Sequence, residues 1–221
     1  MSVTLLFLAV AGAIVVWWVL MQRLKAKPWT EHGALEDFDV DRGSAAKIGL
    51  GFFLAVVTSL FSLFISAYFT RMSVPDWTPL TEPALLWFNT ALLVAASIAF
   101  QWARRVSEGE RIDRVRTGLA AAGVFSLMFI AGQLWAWKEL VEAGYFLQSN
   151  PANAFFYLFT GLHAIHLLGG LWVWGRTTAR VWGGVPKGAI QDVRMSVQLC
   201  SLYWHFLLLV WFVLFWLFLS T

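Results

Sequence analysis

Three histidines stand inside apolar runs: His163, His166 and His205. Neutral imidazole is a common haem and metal ligand. His163 and His166 are three apart, so on a helix they share a face. His205 lies in a separate run, Tyr203-Trp204-His205-Phe206. One reading is a haem or metal held between two helices. The other is structural, with buried hydrogen-bonding groups pinning those helices together. A two-haem anchor needs opposed histidine pairs on facing helices, and the later run has a single histidine. The structural reading is therefore preferred, and no haem or metal is expected in this chain. Two amides, Asn89 and Gln133, also fall within apolar runs. An amide in hydrocarbon needs a partner, and helix packing is the expected use of both. Cys200 stands alone, which excludes an intrachain disulfide and CxxC metal spacing; it reads as a small core residue. There is no phosphate-binding glycine loop, no HExxH and no Ser/His/Asp set that could be brought together.

The elements that hold these residues follow from composition. Of 221 residues, 59% are hydrophobic and only 13% charged, too few charges to cover a soluble domain of this size. Six runs are long and apolar enough to cross about 30 Å of hydrocarbon: 2–21, 48–70, 83–103, 118–137, 152–175 and 195–219. Lipid cannot satisfy backbone groups, so each run is read as a helix. The expected fold is an all-α transmembrane bundle of about six spans. The first run lacks a basic n-region, and Trp17-Trp18 before Met21-Gln22-Arg23 offers no small-residue cleavage site. It is read as a retained helix.

Charge sets the topology. All 13 Asp and Glu fall in connectors or at span ends. Carboxylates at mid-membrane are the usual marks of ion pathways, so a transporter is disfavoured. Of the 16 Lys and Arg, only Arg71 and Lys138 lie on one side. The rest fall in the loops 22–47, 104–117 and 176–194, which the positive-inside rule places in the cytoplasm. Both termini are then external. The excess positive charge is explained by topology, and no nucleic acid partner is expected. The 14 Trp and 19 Phe suit a lipid-facing surface with aromatic belts. The tryptophans exceed what one small bundle needs for its own interfaces, and Lys47, Arg104 and Arg105 stand at the basic edge where anionic headgroups would lie.

The run Phe155-Phe156, then Thr160-Gly161-Leu162-His163-Ala164-Ile165-His166 and Gly169, resembles subunit III of haem–copper oxidases. So does Tyr203-Trp204-His205-Phe206 followed by Val210-Trp211. Asn89-Thr90, Trp102-Ala103, Glu108-Gly109, Gln133, Gly49 and Ala67-Tyr68-Phe69 follow the same pattern in order. The resemblance implies a five-helix membrane domain at 47–221. The apolar run before it is then an extra N-terminal transmembrane helix at 1–22, joined by a connector at 23–46 that the charge count places in the cytoplasm. It further implies a bacterial-type plasma-membrane subunit that binds the catalytic subunit I and copper-binding subunit II and holds lipid. Haem and copper would sit in those partners, in a complex that reduces dioxygen and translocates protons. His163, His166, His205, Tyr203, Trp204, Gln133 and Asn89 would be structural or lipid-associated. Family carboxylates are replaced here by Val57, Ala136 and Leu208, and Gln198 stands at a further position that is often glutamate, so acid-dependent roles do not carry over. The competing readings are a nitric oxide reductase accessory protein of the same fold, a haem-b membrane anchor, and a stand-alone transporter.

Overall fold

A computed structural model of the chain describes residues 42–79, 84–109, 112–184 and 190–220. Five helices account for nearly all of them: α1 Arg42–Met72, α2 Leu85–Ser107, α3 Ile112–Glu142, α4 Pro151–Trp182 and α5 Ile190–Leu219. All five are long and apolar enough to cross a membrane. They match five of the six expected spans; the first, 2–21, and most of the connector 23–46 lie outside the described residues.

The helices overrun the apolar stretches. Arg104 and Arg105 end α2, Arg114 and Arg116 begin α3, and Arg176 and Arg180 end α4. The expected loops 104–117 and 176–194 are therefore mostly helix, and α1 already begins at Arg42, inside the expected connector. Hydropathy measures the hydrocarbon, while helix length follows from propensity and caps, and Arg is a good helix former. The caps are explicit. Asn150 in extended conformation accepts from the Ala152 N–H at 3.1 Å, with Pro151 at the first helical position of α4. At the end of α3, Gly144 takes φ 86°, and the Tyr145 and Gly144 N–H groups donate to the Leu140 and Val141 carbonyls. This is a Schellman stop, and the left-handed residue is the one without a Cβ. Arg116 donates from Nε and Nη2 to the Val181 carbonyl at 3.2 and 3.1 Å, a cation on the negative end of α4.

Helices α2, α3, α4 and α5 close into a four-helix ring, and among the described helices α1 leans on α4 and α5. Only 11% of the most apolar stretch of α1 is buried, against 50% for α2 and α5, so α1 keeps most of its surface for lipid or another chain. Within the ring, Gly118 meets Ala103 and Gly132 meets Asn89. Fourteen residues forward on α3 are thus fourteen back on α2, an antiparallel register with small residues at the crossing points.

Tryptophan serves two purposes. Trp87, Trp135 and Trp216 are exposed towards one end of the bundle, and Trp102, Trp172 and Trp182 towards the basic end, as two belts. Four others are interhelical donors: Trp204 Nε1 to Ser126 Oγ at 2.9 Å, Trp211 Nε1 to Thr90 Oγ1 at 2.9 Å, Trp137 Nε1 to Thr160 Oγ1 at 3.0 Å, and Trp174 Nε1 to the Leu119 carbonyl at 2.9 Å. Four tryptophans thus serve the bundle's own interfaces, while six stand exposed in the belts. In an apolar interior the indole N–H must find an acceptor, and the sequence supplies small hydroxyls on facing helices.

Candidate functional site: a polar layer inside the bundle and two lateral grooves

The three membrane histidines do not converge. His163 is fully buried; its ring lies 5.9 Å from Phe129 of α3 and 5.3 Å from Trp211 of α5. His166, one turn on, faces α1 instead, with Phe53 and Phe61 at 6.2 and 5.8 Å, and its Nδ1 meets the Leu162 carbonyl at 2.7 Å. Shared facing therefore splits between two neighbours. His205 is exposed at the side of α5, its Nδ1 on the Ser201 carbonyl of its own helix at 2.5 Å. It does not pin α5 to α4, contrary to the structural reading of the sequence. Tyr203 supplies that link, its hydroxyl donating to the His166 carbonyl at 2.9 Å. Trp204 is buried against Phe100, ring centroids 4.4 Å apart. Gly170 makes the approach, since a Cβ there would stand 2.7 to 3.0 Å from the Tyr203 and Trp204 rings. Among the described residues, no three His, Cys, Asp or Glu side chains are grouped to hold a metal ion.

Asn89 and Gln133 are both buried in the ring, as His163 is. They belong with Thr90, Thr160, Trp137 and Trp211 to one polar layer. Sequence inspection found the amides and His163 but not the tryptophan donors. A hydropathy profile gives an indole one value wherever its N–H points, and only its acceptor on another helix reveals the pin.

Two grooves open sideways. One, of about 520 Å³, lies between α1, α4 and α5 and is lined mainly by apolar side chains, including Leu50, Phe53, Val173 and Tyr203, with His166 and Cys200 on its wall. Cys200 is a free, buried thiol, as its setting in the sequence implied. Lys47 is exposed one turn before Leu50, and Arg176 lies one turn after Val173. The second groove, about 500 Å³, runs between α2 and α5 past Val94, Ile98, Trp102 and Leu208, with Ser97, Gln101, Arg105 and His205 as its polar members. Arg104 is half-buried beside it on α2. Val57 and Ala136 are both buried, and Leu208 and Gln198 are half-buried.

Among known proteins, the family model described as cytochrome c oxidase subunit III matches residues 2–220. The chain is 28% identical over 184 residues to the Mycobacterium leprae protein named "Probable cytochrome c oxidase subunit 3", covering 80% of this chain and 88% of that one. It is 27% identical over 173 residues to cytochrome c oxidase subunit 3 of Synechocystis, covering 76% and 72%. With that of Schizophyllum commune it shares 29% over 206 residues, covering 85% and 74%. A bundle of membrane-crossing helices, a Thr-Gly-Leu-His-Ala-Ile-His run on α4 packed against a Tyr-Trp-His-Phe run on α5, and a family match over nearly every residue agree, and the chain belongs to the cytochrome c oxidase subunit III family of multi-pass membrane proteins.

Proposed function

We propose that this chain is the accessory, non-redox subunit III of a haem–copper terminal oxidase. It packs beside the catalytic subunit I and the copper-binding subunit II, which carry the haem and copper. The observation behind this reading is the family match from residue 2 to residue 220. The subunit would support assembly and turnover stability of a complex that reduces dioxygen and translocates protons.

Lipid retention is the second part of the proposal. The groove between α1, α4 and α5 suits an acyl chain, with Lys47 and Arg176 level with its basic end to meet an anionic headgroup. The groove along α2 and α5 offers Arg105 and Trp102 in the same arrangement. Cations and aromatic rings do this work because the family's acids are replaced by Val57 and Ala136. Both termini are external on this reading, with the basic ends of the helices in the cytoplasm.

The test is purification of the tagged chain from its native membrane in mild detergent. Haem-containing partners in stoichiometric amount, with an oxidase spectrum and oxygen consumption, are expected. A nitric oxide reductase in their place, or a chain that carries its own haem, would overturn the assignment. Native mass spectrometry of the same sample should find phospholipid bound, reduced in a Lys47→Ala/Arg176→Ala variant. Loss of all lipid on mild delipidation of the unaltered complex would reject the lipid part alone.

A further inference from the structure

Six polar atoms in one layer of the ring have no hydrogen-bond partner among the described residues. They are Nδ2 and Oδ1 of Asn89, Nε2 and Oε1 of Gln133, and both ring nitrogens of His163. The three side chains are 0%, 2% and 0% exposed and come from α2, α3 and α4. Helix register brings them to one level. Asn89 abuts α3 at Gly132, where its Oδ1 occupies the space of a Cβ, and Gln133 is the next residue. Trp137 on α3 bonds Thr160 on α4. One turn back from Trp137 and one turn on from Thr160, in antiparallel helices, are Gln133 and His163. Trp211 of α5 closes the layer, bonded to Thr90 beside Asn89 and facing the His163 ring.

Protein groups nearby are already committed. Thr90 accepts from Trp211 and donates to the Leu86 carbonyl at 2.8 Å. Thr160 accepts from Trp137 and donates to the Phe156 carbonyl at 2.7 Å. The Phe129 and Trp211 rings offer His163 only carbon and π surface. Lipid cannot reach groups this deep, and hydrocarbon could not satisfy them. The set holds donors and acceptors in mixture: two carboxamides, each with a C=O and an NH₂, and an imidazole with one N–H and one bare nitrogen. A metal ion would use the acceptors and leave the amide donors stranded. Water matches both, since a buried water typically makes about three hydrogen bonds to otherwise unsatisfied groups.

We propose that Asn89, Gln133 and His163 enclose an internal hydration site, in which ordered water bridges α2, α3 and α4 within the membrane-spanning ring. The water is the keystone of that layer, converting three costly side chains into a cross-helix network. A structure of the purified native complex, at a resolution that shows ordered water, tests this. The expected result is at least one water peak within hydrogen-bond distance of two or more of the three side chains. That peak should be lost in the Gln133→Leu variant. Should that variant fail to assemble, Asn89→Ser keeps a polar group while making room, and its peak should persist or gain a second. Direct bonds among Asn89, Gln133 and His163 with no density between them, or a peak of metal-ion strength, would overturn the proposal. Neither result bears on the subunit assignment, which the partner chains and the spectrum decide.

Discussion

Gly123→Ala should be among the most damaging single-methyl changes in this protein. Gly123 of α3 lies under the Trp174 indole of α4, and a Cβ at that position would stand 2.0, 2.5 and 2.7 Å from three ring atoms. Contact distance between carbons is roughly 3.5–4 Å, so the ring must retreat by more than an ångström. It cannot retreat freely, because Trp174 Nε1 is held by the Leu119 carbonyl one turn below at 2.9 Å. Overpacking of this kind costs roughly 1–3 kcal/mol. Losing the indole hydrogen bond adds about 1 kcal/mol. Replacing a mid-helix glycine by alanine returns up to about 1 kcal/mol of helix propensity. The net is a destabilisation of roughly 2 kcal/mol, close to thirtyfold in the folded-to-unfolded ratio. Equilibrium unfolding of the chain in lipid–detergent mixtures, followed by tryptophan fluorescence, reads this directly. The control is Gly169→Ala, where the added Cβ meets nothing within 4 Å; it should be neutral or slightly stabilising. The pair Gly123→Ala/Trp174→Leu should recover part of the loss, because the smaller side chain vacates the contested space. Equal behaviour of Gly123→Ala and Gly169→Ala would refute the packing argument.

Trp211→Phe removes the donor to Thr90 from the bundle interior and should cost about 1–2 kcal/mol in the same assay, whereas Trp216→Phe on the exposed belt should cost little. Among the histidines, His163→Ala should lower the yield of assembled complex, since it opens the centre of the ring. His205→Ala should leave assembly intact, and neither should alter haem per surviving complex by optical spectroscopy. A reporter that is active only outside the cytoplasm, fused after Thr221, should be active; activity of a cytoplasm-only reporter at the same place would reverse the assigned orientation.

How much of this was legible in the sequence depends on which physical quantity each feature expresses. Span existence is a matter of total apolar length, and the five runs from 48 to 219 all emerge as helices. Span ends are not. Arg104, Arg105, Arg114 and Arg176 are charged yet helical, because hydropathy ends where the hydrocarbon ends and the hydrogen-bond ladder does not. The candidate residues divide the same way. His163, Asn89 and Gln133 stood out since a polar group in an apolar run is expensive wherever it points, and all three are buried together. His205 stood out for the same reason and is exposed, because a periodic pattern on a helix apolar all round does not say which face meets protein.

The tryptophans carry the same argument further. Fourteen of them in one chain read naturally as belts, and six described ones are. The four that bond across helices could be told apart only by their acceptors: Thr90 and Thr160 on neighbouring helices, Ser126 across the ring, and the Leu119 carbonyl. Those hydroxyls were visible in the sequence as small polar residues, but the pairing of Trp211 with Thr90 spans 121 positions. It exists because α2 and α5 are neighbours in the ring, a fact of topology that no local window contains. Where the driving force between helices is packing and polar pairing instead of water exclusion, specificity lies in such pairs. An indole, a hydroxyl and a facing glycine say little singly. Set at matching depths on adjacent helices, they determine which helices meet and in what register. Val57 and Ala136 are buried and apolar, and the pairing code that holds the four-helix ring together makes no use of them.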